Sequence, residues 1–250
     1  MPYIESVTEA GRTIEIERYY SARYNKKGAS HQKKEKPTKE AQKRVNEKQA
    51  EKKLRRLINA NFGYGDFHLV LDYIRDPQKP DRTADEMRKD AAVFLRECRN
   101  QYKKAGKVFK YIHVMEIGQK GSRHHHLVIN KIDTEIIQRA WYKAYEGHNR
   151  VKVFPLDDSG NYSKLASYLI KYTSEHLQDK DRLQGKRWAC SRNLVRPQTK
   201  RRVISGRKWF RSEPQPRKGY IVDLSSVEKG LTSEEFFGYG YFRYTLVKIE

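Results

Sequence analysis

Strand-like and helix-like segments alternate in the middle of the chain, and this order predicts an α+β fold with a mainly antiparallel central sheet. Residues 67–73, FHLVLDY, place apolar side chains at every second position, as a half-buried strand does. Residues 84–104 place them at helical spacing. The strand-like segments 107–116 and 124–130 flank a turn with two glycines, which predicts a hairpin. We therefore expect helices packed on the sheet, mostly on one face.

Three further segments extend the predicted core. Apolar residues at helical spacing predict helices over 134–145 and 163–177. Between them, RVKVF at 150–154 predicts a short strand that Pro155 closes. The predicted order is therefore strand, helix, hairpin, helix, strand, helix.

Composition divides the chain into three parts. Residues 1–56 hold a strand-like start and, from residue 26, a charge-rich basic arm in which a helical spacing emerges from about Thr38. Residues 57–212 carry nearly all the regular periodicity. Residues 213–250 form a C-terminal extension that ends in an aromatic, strand-like segment. We expect the middle part to be the folded functional domain.

The chain is strongly basic. Its 250 residues include 53 Lys and Arg against 31 Asp and Glu, a formal net charge of +22, and its isoelectric point is near 9.9. A surplus of this size favours a polyanionic partner, above all nucleic acid. A ribosomal protein would have the same composition, so the charge indicates a class of partner and not an activity.

Several classes of protein are excluded by composition. The mean hydropathy is −0.97 and no 18-residue apolar run exists, which argues against a transmembrane protein. The first residues show no basic segment followed by an apolar one, as a secretory signal would. Two cysteines, Cys98 and Cys190, are too few for a disulfide framework or a four-thiolate zinc site. We expect a soluble, intracellular, reduced protein.

Three consecutive histidines, His124, His125 and His126, stand at the start of one predicted strand. Because strand side chains alternate, His124 and His126 share a face, with about 7 Å between them, and His125 points the other way. Glu116 ends the preceding strand of the hairpin and should lie beside this pair. One carboxylate and two imidazoles can bind a divalent cation and leave positions open for substrate. The alternative is a solvated basic patch without a ligand.

A second group of polar side chains lies on the predicted helix 163–177. Tyr168, Lys171 and Tyr172 follow one another at i, i+3 and i+4, so they line one face. One interpretation is that the Tyr168 ring covers the edge of the core while its hydroxyl stays in water. The other is a phenol nucleophile, which needs a nearby cation because its usual pKa is about 10.

In this order, the motifs resemble those of the HUH endonucleases, and most of all the rolling-circle replication initiators of phages, viruses and small plasmids. EIGQKGSRHHH (116–126) is similar to the metal-binding segment of that family, and YLIKY (168–172) to its catalytic tyrosine motif. FHLVLDY stands where the first family motif is expected. KRWACSRNLVRP (186–197) resembles a segment of phage-type initiators to which we assign no chemical role. The resemblance covers roughly residues 55–200.

The resemblance implies a role for each matching residue. His124 and His126 would bind Mg²⁺ or Mn²⁺, with Glu116 as the third ligand, and the metal would polarise a phosphate oxygen. Tyr168 would attack a phosphodiester, forming a 5′-phosphotyrosyl link and releasing a 3′-hydroxyl. Lys171 would orient the phosphate or neutralise its charge.

Two features leave alternatives open. The family usually has a bulky apolar residue where His125 stands, so the ligands are either His124 and His126 or a shifted pair. Strand alternation favours His124 and His126. Some family members use two tyrosines in turn, and Tyr172 would allow this, although the register of Tyr168 with Lys171 fits the family motif.

The resemblance also implies partners. We expect single-stranded DNA or an origin hairpin as substrate, a host helicase and polymerase as partners, and the cytoplasm of a bacterial host as location. A helicase of its own is not expected, since the sequence has no GxxxxGK[ST] loop. The run 196–218 mixes basic residues with Trp209 and Phe210, which is typical of a single-strand track and equally of a solvated basic tail.

Two other functions compete with replication initiation. The same tyrosine chemistry serves transposition and plasmid mobilisation. A non-enzymatic nucleic-acid-binding protein would bind DNA or RNA with a steep salt dependence but would not cleave it.

Overall fold

The computed structural model describes residues 3–21, 38–78, 80–118, 121–146, 149–175, 186–205, 213–232 and 239–249, with the backbone alone for residues 149 and 172–175. The elements of these residues are, in chain order, β1 (Tyr3–Ala10), β2 (Thr13–Tyr20), α1 (Lys39–Asn61), β3 (Phe67–Tyr73), α2 (Ala84–Lys104), β4 (Tyr111–Ile117), β5 (Arg123–Ile129), α3 (Thr134–Ala144), β6 (Asn149–Pro155), α4 (Ser163–Glu175), β7 (Ala189–Cys190), β8 (Thr199–Ile204), β9 (Tyr220–Leu231) and β10 (Gly240–Lys248). Every pairing between these strands is antiparallel. The predicted α+β class is confirmed.

The chain forms two compact units. One consists of Met1–Ala60 together with Arg196–Glu250, and the other of Asn61–Val195. The first unit therefore joins both ends of the chain, because β8, β9 and β10 complete a sheet with β1 and β2. These limits differ from the expected boundaries at residues 57 and 212. The assignment of functions to the three expected parts stays a prediction.

The unit built from the chain ends contains a five-stranded sheet in the order β8-β1-β2-β10-β9. Its β1–β2 turn depends on Gly11, which has a φ of +58° and lies so close to α1 that a Cβ atom would be 1.9 Å from the Asn59 carbonyl oxygen. Apolar side chains of the central strands form its core, namely Ile14, Ile16, Phe242, Tyr244 and Leu246.

The other face of this sheet meets α1 through charged side chains. Glu15 on β2 is buried and accepts hydrogen bonds from Arg55 (2.6 Å) and Arg56 (2.7 Å) on the helix. A buried carboxylate is costly unless it is paired, and the two guanidinium groups pair with Glu15. Helix α1 confirms the helical spacing that emerges near Thr38, whereas residues 22–37 of the basic arm lie outside the described residues.

The second unit contains a five-stranded sheet in the order β6-β3-β5-β4-β7. The strands β3, β4 and β5 carry the motifs noted in the sequence. Helices α2 and α3 cover one face, where the largest buried side chains include Trp141, Phe94 and Met87. Cys98 is a buried member of this core, as expected for a small apolar residue.

The opposite face of this sheet is covered in part by α4. Ala166, Leu169 and Ile170 of the helix are buried, and the helix packs against β4. Tyr168 is not among these buried residues of α4, and it stays 40% exposed. One face of the sheet is thus covered by the apolar side chains of α2 and α3, whereas the other face is covered only in part by α4.

The segment 186–197, for which the sequence suggested no chemical role, closes one edge of this sheet. Its short strand β7 pairs with β4, and Asn193 donates a side-chain hydrogen bond to the carbonyl of Phe109 (3.0 Å). The Asn61 side chain bonds both backbone groups of Val195, accepting from its N–H at 2.7 Å and donating to its carbonyl at 2.8 Å. The segment therefore has a structural role at the edge of β4.

The predicted limits of the strands and helices of the second unit agree closely with the structure, apart from the start of β4, and residues 176 and 177 of the predicted helix 163–177 lie outside the described residues. The sequence predicts a strand from Lys107, but β4 begins at Tyr111. Gly106 has a φ of +68°, and the Asn130 side chain bonds Val108 and Lys110 in place of a neighbouring strand. None of the described helices is both long and apolar enough to cross a membrane.

Candidate metal centre and its cleft

The register of the β4–β5 hairpin brings the expected metal ligands together. Glu116 lies directly opposite His124, and Val114 lies opposite His126. Glu116 Oε1 is 3.3 Å from His124 Nε2, and Glu116 Oε2 is 2.8 Å from His126 Nε2. The three ligand atoms all lie within 4.8 Å of one another. We refer to these residues below as the Glu/His/His cluster.

Two atoms of this cluster lack hydrogen bonds. Although Glu116 Oε2 and His126 Nε2 are close, their geometry is not that of a hydrogen bond, so both are buried without a hydrogen-bond partner among the described residues. Such atoms are costly to bury unless something else binds them. A divalent cation would bind both, and one carboxylate with two imidazoles is a suitable set of donors. The cluster therefore fits a metal ion.

The charge on Glu116 also suits a cation. Burial by itself would raise the pKa of this carboxyl, but its interactions with His124 and His126 outweigh burial and lower the pKa to about 2. Glu116 is therefore an anion throughout the neutral range.

His68 on the neighbouring strand β3 contacts His126 of the cluster. Its Nε2 lies 3.1 Å from His126 Nδ1, the ring nitrogen that faces away from Glu116. Burial, assisted by His126, lowers the pKa of His68 to about 3, so its ring is neutral near pH 7. The alternation of FHLVLDY places His68 on the same face as Asp72, which is the signal by which the sequence could have included it in the site.

Tyr168 on α4 lies against the cluster. Its ring centroid is 5.3 Å from that of His126 and 6.2 Å from that of His68, in edge-to-face contact with both. This places a partly exposed phenol beside the cluster, at the open side of the sheet.

The structure says less about the other two residues of the tyrosine motif. Lys171 is exposed on α4, one turn beyond Tyr168, and is not among the described residues that line the cleft. The backbone of Tyr172 belongs to α4, but its side chain lies outside the described residues, as do Trp209 and Phe210.

His125 points to the opposite face of the sheet, where it is completely buried. Tyr73 Oη donates to Asp90 Oδ2 (3.0 Å) and lies 2.9 Å from His125 Nε2. Because the hydroxyl proton is directed at Asp90, its oxygen accepts from His125 Nε2–H, and His125 Nδ1 accepts from His113 Nε2–H at 2.9 Å. This chain of hydrogen bonds satisfies both ring nitrogens of the buried His125.

Burial lowers the pKa of His113 to about 4 and that of His125 well below its usual value. Both rings are therefore neutral, as the hydrogen bonds require. His113, like His125, faces away from Glu116 and is not part of the Glu/His/His cluster. The geometry thus groups His124 with His126 and not with His125.

The cluster opens into a cleft of about 730 Å³. Of the residues that the structure describes, four with basic side chains line this cleft, namely Arg75, Arg123, Arg150 and Lys152. Two carboxylates partly neutralise them: Asp72 lies 3.3 Å from Arg150 and 2.8 Å from Lys152, and Asp81 lies 3.4 Å from Arg75 and 3.0 Å from Arg123. The excess of positive charge at the mouth of the cleft suits a phosphate backbone.

A comparison with protein families bears on this unit. Residues 66–177, a little under half of the chain, match the family model described as "Replication-associated protein ORF2/G2P". The matched stretch contains the Glu/His/His cluster, His68 and Tyr168. The match supports a replication-associated protein and a role in the initiation of replication. Comparisons with curated proteins and with solved structures gave no match.

Proposed function

We propose that this protein is a replication initiator that nicks single-stranded origin DNA by metal-assisted attack of a tyrosine. The observation that carries the proposal is the edge-to-face contact of the Tyr168 and His126 rings, 5.3 Å apart, within a cleft of net positive charge. A phenol, an orphaned carboxylate–imidazole pair and basic side chains at one place are the groups that phosphodiester transfer needs.

Glu116, His124 and His126 would hold the metal ion. When bound, a divalent cation polarises a non-bridging oxygen of the scissile phosphate and stabilises the charge that develops there. We expect Mn²⁺ to bind more tightly than Mg²⁺, because two of the three protein ligands are imidazoles and Mg²⁺ prefers oxygen.

Tyr168 is the nucleophile of the proposed reaction. Its Oη forms a bond to phosphorus while the bond from phosphorus to the 3′ oxygen breaks. The phenolic proton leaves to water, and the departing oxygen takes up a proton as a 3′-hydroxyl. The products are a 5′-phosphotyrosyl link and a 3′ end that a polymerase can extend, and the reverse reaction rejoins strands.

Lys171 has a secondary part in this proposal. Its exposed ammonium, one helical turn beyond Tyr168, would attract the phosphate that enters the cleft. Tyr172 follows at the position where some two-tyrosine enzymes have their second nucleophile, and we propose that Tyr168 alone is essential for the first cut.

Replication is favoured over transposition or mobilisation because the matching family model describes replication-associated proteins. The proposed substrate is single-stranded DNA or the loop of an origin hairpin. A host helicase and a host polymerase would act on the nicked product.

A covalent-trapping experiment tests the proposal. The protein is incubated with Mn²⁺ and labelled single-stranded DNA from its own replicon, and the products are separated in SDS. We expect a shifted band that withstands SDS and disappears with EDTA. Tyr168→Phe should abolish it, with a loss of at least about a thousandfold, because no other nucleophile replaces the phenol.

Tyr142→Phe is the matched control, since Tyr142 is also an exposed helical tyrosine but lies on α3, on the other face of the sheet. It should form the band at the normal rate. A band that persists in Tyr168→Phe and disappears in Tyr172→Phe would assign the nucleophile to Tyr172. Salt-sensitive DNA binding with no band for any origin-derived strand would reject the nickase.

A further inference from the structure

The strand β6 presents a row of side chains to the cleft. It is the terminal strand in the order of its sheet, and Arg150, Lys152 and Phe154 all line the cleft. Strand residues two apart are about 7 Å from each other. This spacing resembles that of successive phosphates in an extended single strand.

The strand register sets this row beside the metal centre. Lys152 is opposite Val70, which is opposite His126, and Arg150 is opposite Asp72, which is opposite His124. Strands two apart in a sheet are separated by about 10 Å. The two basic residues therefore run parallel to the histidine pair, at a distance that one nucleotide can span.

Phe154 continues the row at the level of His68. The residue is 48% exposed, and its ring stacks on His68 with a centroid distance of 5.7 Å and an interplanar angle of 27°. One ring face thus rests on the residue that contacts His126, while nearly half of the Phe154 residue is open to solvent. A surface aromatic fixed in this way is a suitable platform for a nucleobase.

We propose that β6 binds the nucleotides next to the scissile phosphate, with one base stacked on Phe154 and the adjacent phosphates bound by Lys152 and Arg150. This inference rests on the proposed function and specifies its substrate: an unpaired strand whose base beside the nick is free to stack. Paired bases in a continuous duplex cannot meet the ring in this way. Since every base has a π face, the platform selects single strands and does not read sequence.

The experiment measures binding in a protein that cannot cut. In the Tyr168→Phe background and in EDTA, the affinity for a fluorescent single strand is measured by polarisation. Adding Phe154→Ala should weaken binding about 5- to 100-fold, the range for loss of one stacked base. Phe154→Trp should bind like the parent protein because it keeps a ring. Tyr142→Ala, which removes an exposed aromatic from the opposite face, should have no effect.

A scan with single abasic nucleotides identifies the stacked base. One position should weaken binding to the parent protein and have no effect in Phe154→Ala, because both changes remove the same contact. Equal losses in both proteins at every position would overturn the stacking proposal, and so would unchanged affinity of Phe154→Ala.

The phosphate contacts have a separate readout. Lys152→Ala should reduce the slope of log K against log salt by about 0.7, the value for one phosphate on a single strand. Lys143→Ala is the control, because Lys143 is also exposed and paired, 3.0 Å from Glu97, but lies on α3. An unchanged slope for Lys152→Ala would show that Lys152 does not bind a phosphate of the strand.

The two proposals fail separately in these experiments. If stacking fails while the covalent band forms, the nickase remains and the strand takes another route. If the abasic scan succeeds while no covalent band forms, β6 binds single strands in a protein that does not nick.

Discussion

The two ring nitrogens of His126 face different residues. Nε2 faces Glu116 and Nδ1 faces His68 Nε2 at 3.1 Å. A cation on Nε2 requires the proton on Nδ1, which then donates to His68. The contact with His68 is compatible with the tautomer of His126 that leaves Nε2 free to bind a metal, and His68 Nε2 would then be the acceptor. His68 acts as a positioning residue in this arrangement.

Loss of His68 is expected to weaken metal binding. His68→Ala should lower the affinity for Mn²⁺ about 10- to 100-fold, the usual cost of removing a group that orients a metal-binding histidine. Calorimetric titration of the metal-free protein with Mn²⁺ measures this affinity. His68→Gln should recover part of the loss, because its side-chain oxygen can accept from Nδ1–H. An affinity equal to that of the unchanged protein in both variants would contradict the positioning role.

At the scale of elements, the edge of β4 is supported by the short strand β7 and by side-chain hydrogen bonds on either side of it. Asn61, at the end of α1, forms both hydrogen bonds with Val195 that a strand residue would form. Asn193 and Ser191 similarly bond the backbone of residues 109–111. The segment 186–197 thus supports the edge of β4 at residues 109–113.

Removal of the Asn61 side chain tests this role. Asn61→Ala should lower the free energy of unfolding by about 1–3 kcal/mol, because two hydrogen bonds are lost. Urea unfolding followed by circular dichroism gives the value. Asn46→Ala is the control, since Asn46 is exposed on α1. It should change stability by no more than about 0.5 kcal/mol. Similar losses of stability in the two variants would argue against a stabilising role of the hydrogen bonds between Asn61 and Val195.

At the scale of the whole molecule, the buried histidines make stability depend on pH. His113 has a pKa of about 4 when folded and 6.5 as its ordinary value. Between these values the unfolded chain binds a proton that the folded chain does not, so stability rises with pH and is lost as pH falls from 6.5 towards 4. The lowered pKa of His125 acts in the same direction.

We expect the metal-free protein to lose on the order of 1–3 kcal/mol of stability between about pH 7 and pH 5. Urea titrations at the two pH values, in EDTA and monitored by tryptophan fluorescence, measure the difference. His113→Gln should reduce this dependence, because its amide can still donate to His125 but does not titrate. A dependence of the same size in His113→Gln would assign it to other groups.

Local patterns in the sequence were sufficient to predict most of the strands and helices of the second unit. Period-two and helical spacings predicted its strands and helices, because each element has one apolar face that must be buried. The same alternation placed His124 and His126 together and His125 apart. The spacing of Glu116 from His124 predicted the contact between them, since a hairpin turn determines which residues are opposite.

Contacts between residues far apart in the chain could be seen only in the tertiary structure. The sequence predicted strand-like segments at both ends, but their union in one sheet depends on the pairing of β1 with β8, which no local pattern contains. His68 joins His126, and Phe154 joins His68, through strand pairings that are equally non-local. Periodicity determines which way a side chain points, because it reports the local backbone. Which side chains meet depends on the order of strands in a sheet, and only the folded chain establishes that order.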